Sequence, residues 1–113
     1  GNYVLAGGDF NKDLLGDTSK YTGIKPPEDY TWNKPFPVEF LEDKNITLHA
    51  PLDEENPLGT CRNTDKPLMD NTYIVVLDGF LVSDNIEVGT TKVLDTGFDV
   101  SDHNPVYMTF TLK

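Results

Sequence analysis

The stretch YIVVLDGFLVS, residues 73–83, is a β-rich apolar run with a single acid, Asp78, near its middle. Isoleucine, valine and phenylalanine favour extended chain, so the run predicts a strand. An unpaired carboxylate inside such a strand costs several kcal/mol when it is buried. Asp78 therefore either lies half-exposed on an edge strand or has a partner elsewhere in the sequence.

Other segments also have strand patterns. The run YVLAGG at 3–8 is apolar throughout, while residues 106–112 alternate apolar and polar side chains with a period of two, which is typical of a half-buried strand. We predict two further strands at 86–94 and 46–49, and a short helix at 36–42. The sequence thus favours a fold with several strands and little helix.

The middle of the chain, residues 16–71, holds all but one of the eight prolines and few sustained apolar runs. So much irregular chain in one domain is typical of functional loops or of a scaffold that continues elsewhere. Residues 3–6 of the first run, Tyr3-Val4-Leu5-Ala6, are predicted to be buried on both faces, which requires neighbouring strands on both sides. Because the chain offers few strands for that purpose, we expect it to be a piece of a larger domain.

Composition narrows the function classes. The 113 residues are 37% hydrophobic and 11% aromatic, which indicates one globular domain rather than a disordered chain. The net charge of −10 argues against a passive polyanion binder, which usually has a basic surface. It does not exclude an enzyme that reaches phosphate through a bound cation. The single cysteine, Cys61, has no partner for an internal disulfide.

Polar residues stand at the ends of three predicted strands. GGDFN (residues 7–11) follows the first, Asp78 lies in the second, and SDHN (residues 101–104) precedes the last. Taken singly, the first and third motifs are also compatible with ordinary turns. Together they suggest a site, because His103 is a suitable partner for Asp78: a carboxylate bound to imidazole Nδ1 selects its tautomer and stabilises its charged form.

These motifs resemble those of the endonuclease/exonuclease/phosphatase superfamily, the DNase-I-like phosphoesterases. That superfamily has a GD-x-N motif after a central strand, an aspartate in a later strand followed by a serine, and a closing SDH-x-P motif. The corresponding stretches here are Gly8-Asp9-Phe10-Asn11, Asp78-Gly79-Phe80-Leu81-Val82-Ser83 and Ser101-Asp102-His103-Asn104-Pro105. Their order and spacing agree with the family pattern from one end of the chain to the other.

The resemblance implies an α/β fold. Residues 1–113 would form the C-terminal half of a single four-layer α-β-β-α sandwich domain, mainly one largely antiparallel sheet with long loops and little helix. The family's main metal-binding glutamate lies in the N-terminal half, which this sequence does not include. We therefore expect the 113 residues alone to be inactive, and either to self-associate or to pair with the missing N-terminal half through exposed apolar surface.

The resemblance also implies roles for individual residues. His103 would contact the scissile phosphate and take part in proton transfer, with Asp78 holding its ring. Asp9 would handle the attacking water or the leaving-group proton, Asn11 would donate its amide to phosphate, and Asp102 would help to bind the metal. Hard oxygen ligands suit Mg²⁺ or Mn²⁺, or Ca²⁺, rather than zinc. The implied reaction is in-line attack of water on a phosphoester.

Two loop residues have alternative interpretations. Arg62, the sole arginine, is predicted either to pair with one of the many acids or to bind substrate phosphate near the site. Trp32 either anchors its loop on the core or forms a stacking platform for substrate. The acidic charge favours a small-molecule or lipid-headgroup phosphoester over nucleic acid. The competing function class is a non-catalytic binding module on the same scaffold.

Overall fold

The computed structural model describes residues 1–63 and 68–113, and its architecture centres on the predicted strand that carries Asp78. Strand β5 (Asp78–Ser83) lies in the middle of a three-stranded antiparallel sheet, between β1 (Leu5–Asp9) and β2 (Ile46–His49). In the β1–β5 pair Asp9 stands directly opposite Asp78. Asp78 is therefore on a central strand, and the edge-strand alternative is wrong.

The remaining strands form two smaller antiparallel pairs. Strand β3 (Cys61–Arg62) pairs with β4 (Ile74–Val75), and β6 (Ile86–Val93) pairs with β7 (Val106–Leu112). One short α-helix, Ser19–Thr22, and one 3₁₀ helix, Val38–Leu41, are also present. Within residues 1–63 and 68–113 no helix is long and apolar enough to cross a membrane. The chain is thus mostly β, with antiparallel sheets and little helix.

Most predicted elements are confirmed, but their assembly differs from the expectation. The described strands form three small sheets rather than mainly one, so that part of the prediction is wrong. The run 73–83 is interrupted at Val76 and Leu77, which separates β4 from β5. The long irregular middle is confirmed apart from the short helices and strands β2 and β3, although residues 64–67 of it lie outside the described part of the chain.

The interruption is stabilised by side-chain hydroxyl groups. The buried N–H of Val76 donates to the Thr18 hydroxyl at 3.2 Å, and those of Leu77 and Asp78 donate to the Thr60 hydroxyl at 2.9 and 3.1 Å. A buried backbone N–H without a partner would destabilise the fold, so the two threonines replace the missing strand neighbour. Loop residues thereby become part of the sheet's hydrogen bonding.

Strand β1 does not have the predicted burial on both faces. It has one hydrogen-bonded neighbour, β5, and lies at the edge of its sheet. All five of its residues are exposed, and so are Tyr3 and Val4 immediately before it. The apolar pattern predicted a strand correctly, but pattern alone cannot supply the second neighbour that burial of a central strand requires.

The core lies under β3 and β4. Cys61, Tyr73, Val75 and Leu77 form a buried cluster, and Trp32 packs against it from the long loop. The Trp32 and Tyr73 rings are 6.1 Å apart. The interpretation of Trp32 as a loop anchor is therefore confirmed.

At Gly79 the loops pack closely on β5. A Cβ atom at this position would lie 2.7 Å from Leu14 Cδ1 and 2.8 Å from the His49 carbonyl oxygen. Since backbone cannot move away cheaply, Gly79→Ala is expected to lower the free energy of unfolding by about 1–3 kcal/mol. Urea denaturation measures the loss.

Gly89→Ala is the matched control for this substitution. Gly89 is also in a strand but is exposed, and its added Cβ would meet chiefly the hydroxyl of Thr109. Rotation of that hydroxyl gives up only an exposed hydrogen bond from the Thr90 N–H, whose donor can bind water instead. We expect the smaller loss of stability at Gly89. Equal losses for the two variants would contradict the close packing described for Gly79.

Candidate active site

The site begins with the register of β1 on β5. Directly opposed residues of an antiparallel pair project to the same face of the sheet, so the Asp9 and Asp78 side chains lie side by side. The Asp78 side chain is only 18% exposed and that of Asp9 is 44% exposed. Two carboxylates in such positions repel each other unless a positive group or a proton donor lies between them.

His103 provides that group. Its segment runs antiparallel to β3: the Arg62 N–H donates to the Asp102 carbonyl at 2.9 Å, and the Asn104 N–H donates to the Thr60 carbonyl at 2.8 Å. Between these two hydrogen bonds, Cys61 and His103 form an isolated β-bridge. This pairing brings the SDHN motif beside Asp78, as the sequence predicted.

The imidazole lies between the two carboxylates. His103 Nδ1 is 2.8 Å from Asp78 Oδ2, and Nε2 is 3.7 Å from Asp9 Oδ2. The predicted hydrogen bond between Asp78 and His103 is confirmed, and we call this pair the dyad. Because an ionised carboxylate only accepts hydrogen bonds, the dyad assigns the proton to Nδ1 and leaves Nε2 to act toward Asp9 and the solvent.

The pKa of His103 reflects competing influences. Burial lowers it, but the hydrogen bond to Asp78 and the charges of Asp78, Asp102 and Asp9 together outweigh burial, so the pKa is raised above its ordinary value. A pKa that is higher in the folded than in the unfolded chain stabilises the fold below about pH 6.5. That contribution is lost as the pH rises through the folded-state pKa.

Asn11 lies next to the dyad in an uncommon backbone conformation. Its φ angle is +53°, which asparagine adopts more readily than most residues, and its N–H donates to Asp9 Oδ1 at 2.8 Å. This turn orients the Asp9 carboxylate and leaves Oδ2 directed toward His103. The Asn11 residue itself is exposed and lines the same cleft as Asp9, as predicted.

The cleft has a volume of about 280 Å³. Besides Asp9, Asn11 and His103, its lining includes a basic and an acidic residue, two aromatic residues and an amide: Arg62, Asp102, Tyr30, Trp32 and Asn63. The Tyr30 and Trp32 rings are stacked with centroids 4.6 Å apart, and Asn63 Nδ2 donates to the Tyr30 hydroxyl at 3.2 Å. Trp32 therefore lines this cleft as well as anchoring its loop.

Arg62 lines this cleft. Among residues 1–63 and 68–113 no salt bridge to its guanidinium is found, and its buried Nε has no hydrogen-bond partner there. Its Nη1 donates to the Asn63 carbonyl at 3.2 Å. Arg62 therefore lies at the candidate site, and the choice between an acidic partner and a substrate phosphate stays a prediction.

Other residues of the site were missed by the sequence reasoning. Thr60 and Asn104 are buried and hydrogen-bond to the segments that carry the dyad. Asn63 and Tyr30 form part of the cleft wall. Asn104 lies within the SDHN motif and Tyr30 lies two residues before Trp32, so both were near sequence signals. No pattern indicated Thr60 or Asn63, because their roles depend on contacts with residues distant in sequence.

A larger cleft of about 500 Å³ lies elsewhere, between residues 51–56 and β6. It is lined by the acids Asp53, Glu54 and Glu55 and by Lys92, and His103 is not part of its wall. We place the candidate site at the 280 Å³ cleft because Asp9, Asp102 and His103, whose pKa is raised, all line it. The half-buried Asp78 orients the imidazole by its hydrogen bond and lines, with His103, a neighbouring cleft of about 450 Å³.

Among residues 1–63 and 68–113, two groups of side chains that could bind a metal share His103. One combines Asp9, Asp78 and His103, and the other combines Cys61, Asp102 and His103. Burial, followed by nearby carboxylate charge, raises the pKa of Cys61 to about 12, so this thiol stays protonated and is a poor ligand for a hard cation. The donors that remain suitable are the carboxylates of Asp9 and Asp102, which both line the cleft.

Such a donor set is compatible with a hard divalent cation. Mg²⁺ is usually held by one or two carboxylates, with water and substrate phosphate completing its coordination. Asp9 and Asp102 each offer a carboxylate, but they belong to separate groups of potential ligands, so the described residues do not bring both to one cation position. Comparisons of the chain with known protein families, with curated proteins and with solved structures found no match.

Asp78→Asn tests the electrostatics of the dyad. With the Asp78 charge removed and burial still opposing protonation, the pKa of His103 is expected to fall. NMR titration of the imidazole protons in metal-free protein measures the change. His49 is the internal control, because burial alone lowers its pKa and it should not respond. An unchanged His103 titration would contradict the hydrogen bond described above.

Proposed function

We propose that this chain carries the catalytic residues of a divalent-metal-dependent phosphoester hydrolase of the endonuclease/exonuclease/phosphatase type. The observation that carries the proposal is the dyad, with Asp78 on His103 Nδ1 at 2.8 Å and Asp9 facing Nε2 at 3.7 Å. A carboxylate-oriented imidazole beside a second, more exposed carboxylate is suited to proton transfer in a cleft. The motifs Gly8–Asn11, Asp78–Ser83 and Ser101–Pro105 add the family resemblance.

The dyad would act on the phosphoryl group. As an imidazolium, His103 donates a hydrogen bond from Nε2 to a non-bridging oxygen or a proton to the leaving oxygen, while Asp78 stabilises the positive ring. Its raised pKa supports this role because it increases the protonated fraction near neutral pH. Asp9 accepts a proton from the attacking water or orients that water in line with the leaving group.

Two neutral or basic groups would bind the phosphoryl oxygens. The Asn11 side chain is exposed at the cleft and offers an amide donor, and Arg62 offers guanidinium N–H groups. Arg62 has no salt bridge among the described residues, which supports a role toward a ligand anion. Arginine presents its donors in a planar fork that matches phosphate oxygens.

The three carboxylates near His103 would otherwise repel a phosphoester. A cation held by Asp102 would neutralise that repulsion and, when bound, supplies charge stabilisation of the phosphoryl oxygens. With a net charge of −10 the surface as a whole also repels an anionic phosphoester, which supports the same need for a bound cation. It also favours a small-molecule or lipid-headgroup phosphoester over a long polyanion such as nucleic acid.

Residues 1–113 would form the C-terminal half of the hydrolase domain. Exposed apolar side chains support this part of the proposal: Leu5 on β1 is 42% exposed, and Phe110 and Leu112 on β7 are 48% and 52% exposed. A further layer of the proposed domain would cover these side chains. The N-terminal half would contribute the metal-binding glutamate that the family pattern requires.

His103→Ala tests the proposed chemistry in protein that carries both halves of the domain. Loss of a positioned proton-transfer group is expected to lower kcat by about 10²–10⁴-fold. Initial rates with bis-p-nitrophenyl phosphate and p-nitrophenyl phosphate, in Mg²⁺ or Mn²⁺, measure the effect. His49→Ala is the matched control, since His49 lies on β2 away from the cleft and should keep its turnover. Unchanged turnover of the His103 variant would reject the mechanism.

The activity of the 113-residue chain alone tests whether the metal ligands are divided between the two halves of the domain. Because Asp9 and Asp102 belong to separate groups of potential ligands among the described residues, we expect negligible hydrolysis by this chain with either metal. Adding the N-terminal half should restore metal-dependent turnover. Rapid hydrolysis by the chain alone would show that these residues suffice to bind the cation.

A further inference from the structure

The dyad joins two segments that are distant in sequence, and its geometry depends on how those segments are held. Asp78 and His103 are 25 residues apart, and the His103 side chain is 31% exposed. A partly exposed imidazole is able to adopt other rotamers and to hydrogen-bond with water. A 2.8 Å contact therefore needs a backbone framework that keeps both residues in place. Buried polar groups beneath the cleft supply such a framework.

Thr60 contacts the Asp78 side of this framework. Its side chain is fully buried, and its hydroxyl oxygen accepts the N–H of Leu77 at 2.9 Å and that of Asp78 itself at 3.1 Å. These bonds hold the backbone of Asp78 at the first residue of β5. Removing the hydroxyl would leave two buried or partly buried N–H groups without this acceptor.

Asn104 contacts the His103 side. It is 2% exposed, and its side chain uses both ends: Nδ2 donates to the Gly59 carbonyl at 3.1 Å, and Oδ1 accepts the Thr96 hydroxyl at 2.7 Å. Its backbone N–H donates to the carbonyl of Thr60 at 2.8 Å. The residue next to His103 is therefore fixed to the same residue that holds Asp78.

We propose that Thr60, fixed to Asn104, is a positioning residue that sets the separation of Asp78 and His103. Its hydroxyl accepts hydrogen bonds from the segment of Asp78, and its carbonyl accepts one from the segment of His103. A single buried residue therefore fixes the distance between the two segments. Satisfied buried polar networks of this kind are rigid, because each lost bond leaves a costly unpaired group. The importance of this role for catalysis rests on the proposed function, whereas the geometry that Thr60 imposes on the imidazole does not.

Thr60→Val removes the hydroxyl while nearly conserving side-chain shape. We expect the Nδ1–Asp78 hydrogen bond to weaken and the neutral His103 ring to shift from the Nδ1–H tautomer toward Nε2–H, the commoner form of free histidine. Spectra of ¹⁵N-histidine-labelled chain at alkaline pH, without metal or substrate, measure the tautomer populations directly. His49→Gln in both backgrounds assigns the signals. Failure of the hydrolase proposal would leave this readout unaffected.

Thr18→Val is the matched control. Thr18 is also buried, and its hydroxyl accepts the Val76 N–H in the same interruption between β4 and β5, two residues before Asp78. This variant should lose stability but keep the wild-type His103 tautomer, because Thr18 makes no hydrogen bond to the His103 segment among the described residues. Thr60→Ser, which restores the hydroxyl, should also keep it. A merely structural role would give the same spectra for all three variants.

Two outcomes would overturn the inference. One is a folded Thr60→Val protein with the wild-type His103 tautomer, and the other is an equal shift in Thr18→Val. If Thr60→Val does not fold, Thr96→Val replaces it, since Thr96 is exposed and its hydroxyl bonds Asn104 Oδ1. A tautomer shift in that variant supports the role of the Thr60–Asn104 pair, and an unchanged tautomer rejects it.

Discussion

The buried backbone of residues 76–78 is the constraint on which the rest of the structure depends. Val76 and Leu77 are buried between β4 and β5, where no strand of the described residues pairs with them. Their polar groups are satisfied by the loops instead: the Leu14 and Phe10 N–H groups donate to their carbonyls at 2.8 and 2.9 Å, and threonine hydroxyls accept their N–H groups. Burying this stretch therefore orders loops on both sides of it.

The same constraint locates the site. Phe10 follows Asp9 directly, so its bond to Leu77 holds the first carboxylate near Asp78. Thr60 satisfies the N–H of Asp78 and also pairs with the segment of His103. Groups from three distant parts of the chain thus converge because each is attached to one interrupted strand. The carboxylates around the His103 imidazole raise its pKa and give the cleft its acidic character.

Electrostatics and packing give the site different requirements. The acids around His103 favour its protonated form but oppose an approaching phosphoester, so the proposed chemistry depends on a cation and on the neutral or basic donors Asn11 and Arg62. Apolar packing beneath, from Tyr73, Val75 and Leu77, fixes the floor of the site and keeps the Cys61 thiol protonated by burial. A rigid apolar floor with a polar surface layer is a common way to hold reactive side chains in place.

The sequence by itself determined the strand segments and the dyad. Alternation in residues 106–112, the β-branched run around Asp78 and the SDHN motif are local signals, and a buried carboxylate needs a partner whatever the fold. Tertiary structure decided the rest: the separation into three sheets, the exposed position of β1, the cleft-facing Arg62 and the connection through Thr60 and Asn104. Those features depend on which segments meet across tens of residues, and the hydroxyl of Thr60 shows no sign in sequence of the two N–H groups that it accepts. Local propensity acts over a few residues, whereas satisfaction of buried polar groups is settled only when distant segments pack together.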